Sequence, residues 1–309
     1  MQIIGIGNAI VDVICKVTDE FLIDHALIKS TMKLVDENEF KKILSNLKIE
    51  NTVSGGSVAN SIVGLSQLGN DVGFIGKVNN DDLGRSYVEG LKREKVKYCN
   101  EVKDEPIHTG TCLILITPDH ERTMVTYLGI AGKISDKDID EQLVREANLT
   151  FLEGYLWDEG EPIKAFEKAL KHSNEVAMSL SDKFCVDRHK KSFLLLVKDH
   201  LDITFANEQE ICSLFGTEDF NQVIRYAKDI GKLIVITRSD KGSVAVEGGQ
   251  VYECKAQENL NIVDVTGAGD LFAAGFLHGY INQKRIEICL EQGTEMASKI
   301  IQKIGARLN

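Results

Sequence analysis

The residues best suited to chemistry stand together late in the chain, in the run Asp264-Val265-Thr266-Gly267-Ala268-Gly269-Asp270, which leads straight into Leu271-Phe272-Ala273-Ala274-Gly275-Phe276-Leu277. Gly267, Ala268 and Gly269 let the backbone pass close to a ligand. At the opening of a helix their N–H groups are first-turn donors without intrahelical partners, backed by the positive end of the helix dipole. Such a turn is an anion hole. Asp270, within that first turn, faces whatever approaches the bound anion, as required when a hydroxyl is to attack a γ-phosphate. A helix N-terminus lowers a carboxylate's pKa, which makes orientation, more than basicity, the larger contribution expected of Asp270. Read alone, the run fits a functional loop and a tight structural turn equally.

Three further groups bear on the choice. Asn207-Glu208-Gln209-Glu210 offers oxygens suited to Mg2+, with Glu210 acting through water because Mg2+ usually keeps several waters. A capped helix start fits Asn207 and Glu208 as well. In Thr237-Arg238-Ser239-Asp240-Lys241-Gly242, the residues Thr237, Ser239 and Gly242 can present hydroxyls and N–H groups to nucleotide phosphates, although a plain turn explains them too. Near the start, Ile3-Ile4-Gly5-Ile6-Gly7-Asn8-Ala9-Ile10-Val11-Asp12 begins as a buried strand. Its G-x-G is not a dinucleotide fingerprint, since Ile10 stands where the third glycine belongs. Asn8 and Asp12 would project into a site at the sheet's carboxyl edge; as ordinary turn residues they need no such role. Ser54-Gly55-Gly56-Ser57-Val58-Ala59-Asn60 is a second glycine-led helix start, suited to an anion or a sugar. No G-x-x-x-x-G-K-[ST] occurs, so phosphate has to be held by other means.

The elements that must position these residues follow from periodicity. Strands are expected at 71–78, 149–152, 175–180, 202–205 and 233–237, and helices at 37–47, 81–95, 161–171, 189–198, 208–215 and 219–230. Further β pieces fall at 243–256, and a helix from Gly267 is followed by two more to 304. Repeated strand–helix units with apolar strands predict an α/β fold, a mostly parallel sheet covered by helices on both faces. The segments 109–117 and 122–128, joined by Pro118-Asp119-His120-Glu121, read as a hairpin that interrupts the alternation. One domain spanning 1–309 is expected, with a small β lid from roughly 13–35 and 98–130 closing over the site. Arg122 on that hairpin is a candidate for closing over the phosphates, although a solvated hairpin arginine accounts for it better.

Composition narrows the partners. With 36 Lys+Arg against 47 Asp+Glu and a formal charge of -11, the chain opposes docking on nucleic acid or an anionic membrane and favours small molecules. Seven singly scattered cysteines without C-x-x-C, and histidines without metal spacing, suggest a reducing cytoplasm and neither disulfides nor a zinc site. No targeting segment or transmembrane run is read.

Taken together, D-x-T-G-A-G-D at 264–270, G-G-S-x-x-N at 55–60, N-x-x-E at 207–210 and G-N-x-x-x-D at 7–12 resemble the ribokinase-like (PfkB-type) family of sugar and nucleoside kinases, and within it most of all the adenosine kinases. The resemblance runs over nearly the whole chain. It implies that Gly267, Ala268 and Gly269 form the anion hole and that Asp270 is the base. It further implies that Asp12, Gly55, Gly56 and Asn60 hold the ribose, that Asn8 also binds substrate, and that Tyr155 lies near the nucleobase. Asn207, Thr237, Ser239, Gly242, Thr266 and Ala297 would contact ATP, with Mg2+ at Glu210 and a monovalent cation such as K+ near Asp264. Two departures are visible: Ser239-Asp240 stands where many members have glycine, and Leu156 follows Tyr155 where adenosine kinases often pair aromatics. The expected activity is phosphorylation of a nucleoside, adenosine to AMP, by ATP in purine salvage. A sugar kinase acting on ribose or fructose would keep every motif, whereas a nucleotide-sensing regulator should have lost the base or the anion hole. Monomer and homodimer both fit.

Overall fold

Ile3–Ile6 (β1) is apolar throughout and fully buried, as a strand covered on both faces must be. In this computed structural model, which describes residues 1–308 apart from His120 and Glu159, β1 lies inside a large sheet. The other strands are Ile10–Lys16 (β2), Met32–Leu34 (β3), Ile49–Ser54 (β4), Val72–Ile75 (β5), Lys97–Tyr98 (β6), Gly110–Ile116 (β7), Arg122–Tyr127 (β8), Leu149–Glu153 (β9), Val176–Ser179 (β10), Ile203–Asn207 (β11), Leu233–Thr237 (β12), Ser243–Glu247 (β13) and Gln250–Cys254 (β14). The helices are Asp19–Asp24 (α1), Glu37–Leu44 (α2), Ser57–Gln67 (α3), Asp82–Arg93 (α4), Glu141–Glu146 (α5), Pro162–His172 (α6), Lys183–Asp199 (α7), Glu208–Phe215 (α8), Phe220–Ile230 (α9), Ala268–Ile281 (α10) and Ile286–Ile300 (α11).

Among the described residues, nine strands form the large sheet in the order β14-β13-β12-β11-β10-β9-β1-β5-β6. Those from β12 to β6 run parallel, and β13 and β14 close one edge antiparallel. Side chains alternate between two cores. Ile3 goes to one with Phe74, Phe205 and Phe276, while Ile4 and Ile6 go to the other with Met178, Phe166 and Phe193. Helices α3, α10 and α11 pack together on the first face, and α6, α7 and α8 cover the second. No helix among the described residues is long and apolar enough to cross a membrane.

A second sheet of five strands has the order β3-β8-β7-β2-β4. Its hairpin pairs Thr111 with Tyr127 and Ile116 with Arg122, and His120 in the intervening turn lies outside the described residues. The apolar run from Ile3 is therefore two strands in two sheets, broken at Gly7-Asn8. The second sheet departs from the segments 13–35 and 98–130: its edge strand is β4, and β6 pairs with β5 in the large sheet. The reason is exposure, because β4 (Ile-Glu-Asn-Thr-Val-Ser) has no buried residue and so carries no apolar alternation. Helix α1, capped by Thr18, was not anticipated. Helix α7 starts at Lys183, not at 189, because Asp182 accepts the Cys185 N–H at 2.6 Å; its backbone breaks at His189, φ −114° and ψ 18°. After α10 one helix follows instead of two, and turns take over beyond Ile300.

Candidate active site

The parallel strands deliver their carboxyl ends to one edge of the sheet, where Asn8 follows β1 and Glu153, Ser179, Asn207 and Thr237 terminate β9, β10, β11 and β12. The starts of α3 and α10 face the same edge. Between them lies a cavity of about 260 Å³, lined by Ser57, Asn207, Glu210, Thr237, the run Gly267-Ala268-Gly269-Asp270, and Phe272. A wider depression of about 700 Å³, near Glu175 and Tyr280, contains none of the expected residues.

Gly267 is the N-cap of α10 at φ 77°, a left-handed conformation that disfavours any side chain, and a Cβ there would lie 2.7 Å from the Ala306 Cα. No side chain among the described residues caps this helix. The Ala268 N–H turns back onto the Val265 carbonyl at 3.2 Å, so of the three expected anion-hole amides that one is already engaged. Asp270 follows in the first turn. Its Oδ1 accepts from Ser57 Oγ at 2.6 Å and its Oδ2 from Asn60 Nδ2 at 3.0 Å, while Ser61 Oγ donates to its backbone carbonyl at 2.9 Å. Burial pushes the Asp270 carboxyl up to about 6; the bonds from Ser57 and Asn60 and the charge of Arg307 hold it from rising further. The dipole argument alone gave the opposite sign, and desolvation outweighs it.

At the other helix start, Gly56 is the N-cap of α3 at φ 96°. The Val58 N–H there donates to Glu153 Oε2 at 3.0 Å, and Asn8 donates through its backbone N and Nδ2 to Glu153 Oε1 at 3.3 and 3.0 Å. Burial raises Glu153 to about 7 despite these three bonds. Asp12, on β2, packs on Gly55 so closely that a Cβ there would strike its carboxylate. Burial raises Asp12 to about 7, with Arg307 pulling it down and Asp270 pushing it up.

Along the rest of the cavity, Asn207 and Glu210 form a reciprocal cap at the start of α8. Asn207 Oδ1 accepts the Glu210 N–H at 2.9 Å, and Glu210 accepts from Asn207 N and Nδ2 at 2.9 and 2.6 Å. Burial raises Glu210 to about 7. A single carboxylate already hydrogen-bonded on both oxygens, yet lining the cavity, fits Mg2+ through a water shell. Thr237 lines the cavity as well. Ser239 and Gly242 sit in the tight turn beyond it, at φ 54° and 88°, and are not among its lining residues.

Five expected residues have other neighbours, among them Thr266, which is bonded to Asp264 and Arg122 and does not line the cavity. Tyr155 donates to Asp182 Oδ2 at 3.0 Å and does not line the cavity. Ala297 packs on α11 against the larger core. Asp264 does not fit a monovalent cation, because its carboxylate is filled. Arg122 pairs with it at 2.7 Å, the Gly305 N–H bonds it at 2.7 Å, and Thr266 bonds it through N and Oγ1 at 3.0 and 2.7 Å. Arg122, which also donates to Thr266 Oγ1 at 3.1 Å, is thus an ion-paired residue, mostly buried, and not a solvated one.

The sequence reading missed Glu153, Ser57 as a partner of Asp270, and Arg307. An acidic residue ending an otherwise apolar strand was a signal for Glu153. Nothing local marks Arg307, whose setting depends on the tail folding back onto the site.

The pfkB family carbohydrate kinase model matches residues 21–309. The solved adenosine kinase from Sinorhizobium meliloti is similar at a TM-score of 0.93 and 36% identity, over 99% of this chain and 95% of that one. A probable sugar kinase from Rhizobium etli CFN 42 gives 0.91 and 36%, over 99% and 94%. The adenosine kinase of Saccharomyces cerevisiae is 27% identical over 98% of this chain and 95% of its own length. With its helix-covered parallel sheet and the glycine-led turn at its carboxyl edge, this chain belongs to the pfkB family of carbohydrate kinases and is a phosphotransferase.

Proposed function

We propose that the enzyme transfers the γ-phosphate of ATP to the 5′-hydroxyl of a nucleoside, with adenosine to AMP as the reaction. The observation that carries this reading is Asp270, fixed on both oxygens by Ser57 and Asn60 beside a helix start that no side chain caps. Whole-length relatives named adenosine kinase support the acceptor.

In this reading the hydroxyl oxygen bonds to the γ-phosphorus as the bond to the ADP oxygen breaks, and the hydroxyl proton passes to Asp270. A carboxyl at about 6 is mostly ionised at neutral pH and basic enough to take that proton late in the transfer. The Gly267 and Gly269 amides hold charge on the transferring group, and Asp12 accepts from the ribose hydroxyls. Mg2+, held through water at Glu210, would neutralise phosphate charge when bound. The second sheet serves as the lid, and Arg122 exchanges Asp264 for phosphate as it closes. Seven cysteines, with no disulfide among the described residues, fit the reducing cytoplasm in which purine salvage operates.

A sugar acceptor is the second reading, favoured because Tyr155 is tied to Asp182 and does not line the cavity. A phosphoryl-transfer assay over adenosine, other nucleosides, ribose and fructose decides between them. Transfer to adenosine at the highest kcat/KM is expected, and preference for a free sugar would replace the first reading with the second.

A further inference from the structure

After α11 the chain folds back across the start of α10. The Gly305 N–H bonds Asp264, Ala306 lies against Gly267, and Arg307 turns inward until it is only 8% exposed. Its Nε donates to Asn60 Oδ1 at 3.1 Å, and its Nη2 is buried with no hydrogen-bond partner among the described residues. A buried guanidinium with a donor unspent is costly, so its placement calls for a reason. Asn60 supplies one. Arginine can only donate, so Arg307 fixes the Asn60 oxygen toward itself and thereby turns the Asn60 amide nitrogen toward Asp270 Oδ2. Removing that donor leaves Asn60 free to rotate its oxygen against the carboxylate. The second reason is charge, since Asp12 and Asp270 both act electrostatically on Arg307 and on each other.

We propose that Arg307 is a positioning residue for phosphoryl transfer, carried into the site by the C-terminal tail, where it sets the Asn60 amide against Asp270 and stands as a buried cation beside Asp12 and Asp270. The inference rests on Asp270 being the proton acceptor, and it does not depend on which acceptor molecule is used. The groups facing the two carboxylates come from several elements. Arg122 of β8 and Cys112 of β7 face Asp12, Glu153 of β9 faces Asp270, and Tyr87 and Glu94 at α4 face the guanidinium. Of these only Arg122 is another cation, and it is engaged by Asp264.

The test uses the full chain with 13C-labelled aspartate carboxyls, assigned through Asp12→Asn and Asp270→Asn, and titrated without substrate in wild type, Arg307→Met and Arg307→Lys. In Arg307→Met the Asp270 and Asp12 midpoints are expected to move up by about one pH unit, because an opposing charge has been removed. Arg307→Lys should stay nearer wild type. On the acceptor found best in the transfer assay, kcat of Arg307→Met at pH 7 should fall roughly tenfold or more, within the range for lost acid–base positioning. Its acid limb should move to higher pH, with KM for ATP little changed. Unmoved carboxylate midpoints in a folded Arg307→Met, or an unmoved acid limb, overturn the proposal. If the Met variant does not fold, Arg307→Gln decides, since it keeps an N–H donor and removes the charge: Asp270 and Asp12 midpoints above wild type support the assignment, and midpoints coincident with wild type reject it. The substrate-free titration separates this failure from any failure of the nucleoside reading.

Discussion

Two glycine-led helix starts face the same cavity, and they differ in what fills them. At α3 the N–H of Val58 is occupied by the protein's own carboxyl group, Glu153, and the helix contributes side chains, Ser57 and Asn60, to the site. At α10 no side-chain carboxylate caps the turn, and the backbone itself lines the cavity. Similar local sequences thus produce one helix start filled by the protein's own carboxyl group and one whose backbone is left open to the cavity. The difference arises because β9 ends in a glutamate at one of them and nothing equivalent reaches the other.

The largest way to break this comparison is at the open start. Asp270→Asn should lower kcat by about 10²–10⁴-fold and leave nucleoside affinity, measured by calorimetry, nearly unchanged. A variant with near-normal kcat would show that α10 is no more catalytic than α3.

The filled start makes a prediction about stability. Glu153 titrates near 7 in the folded protein against 4.5 unfolded, so its contribution is fully present below about pH 4.5 and is lost as pH rises to about 7. The loss is on the order of 3 kcal/mol for this buried group, or a few degrees in Tm for a chain of this size. Thermal melts between pH 4.5 and 7.5 should show that decline, flattened in Glu153→Gln. Parallel curves for the two proteins would mean that α3 is not held by a strained carboxylate.

Next to the filled start, Asp12 packs on Gly55, and the proposed ribose contact makes it the third test. Wild type should lose about tenfold or more in kcat/KM on 2′- or 3′-deoxyadenosine, since a buried acceptor is left partly unpaired. In Asp12→Ala that discrimination should largely vanish along with much of the activity. Equal selectivity in both proteins would assign ribose recognition elsewhere.

The smallest expected signal concerns the second sheet. Hydrogen exchange in residues 109–128 should slow when adenosine is added, as the hairpin closes and excludes water. Unchanged protection there would leave the second sheet a static wall and Arg122 a permanent partner of Asp264.

The alternation of apolar strands with amphipathic helices was legible in the sequence, because periods of two and 3.6 are local properties that burial on both faces enforces. So was the run Gly267-Ala268-Gly269-Asp270, whose residue types state a backbone conformation and a carboxylate position together. Strand β4 was not legible, since its residues are exposed and its place is set by pairing with β2. What only the tertiary structure decided is which groups share an environment. It brought Glu153 to the start of α3 and turned Arg122 onto Asp264. It drew Tyr155 to Asp182 and folded Arg307 against Asn60. It also decided the sign at Asp270, where the helix dipole visible in the sequence argues for a lowered pKa and burial raises it to about 6. Dipoles and periodicities are properties of one segment, whereas desolvation and long-range pairing depend on segments far apart in the chain meeting, and that is why the motif could be read from the sequence while its electrostatics could not.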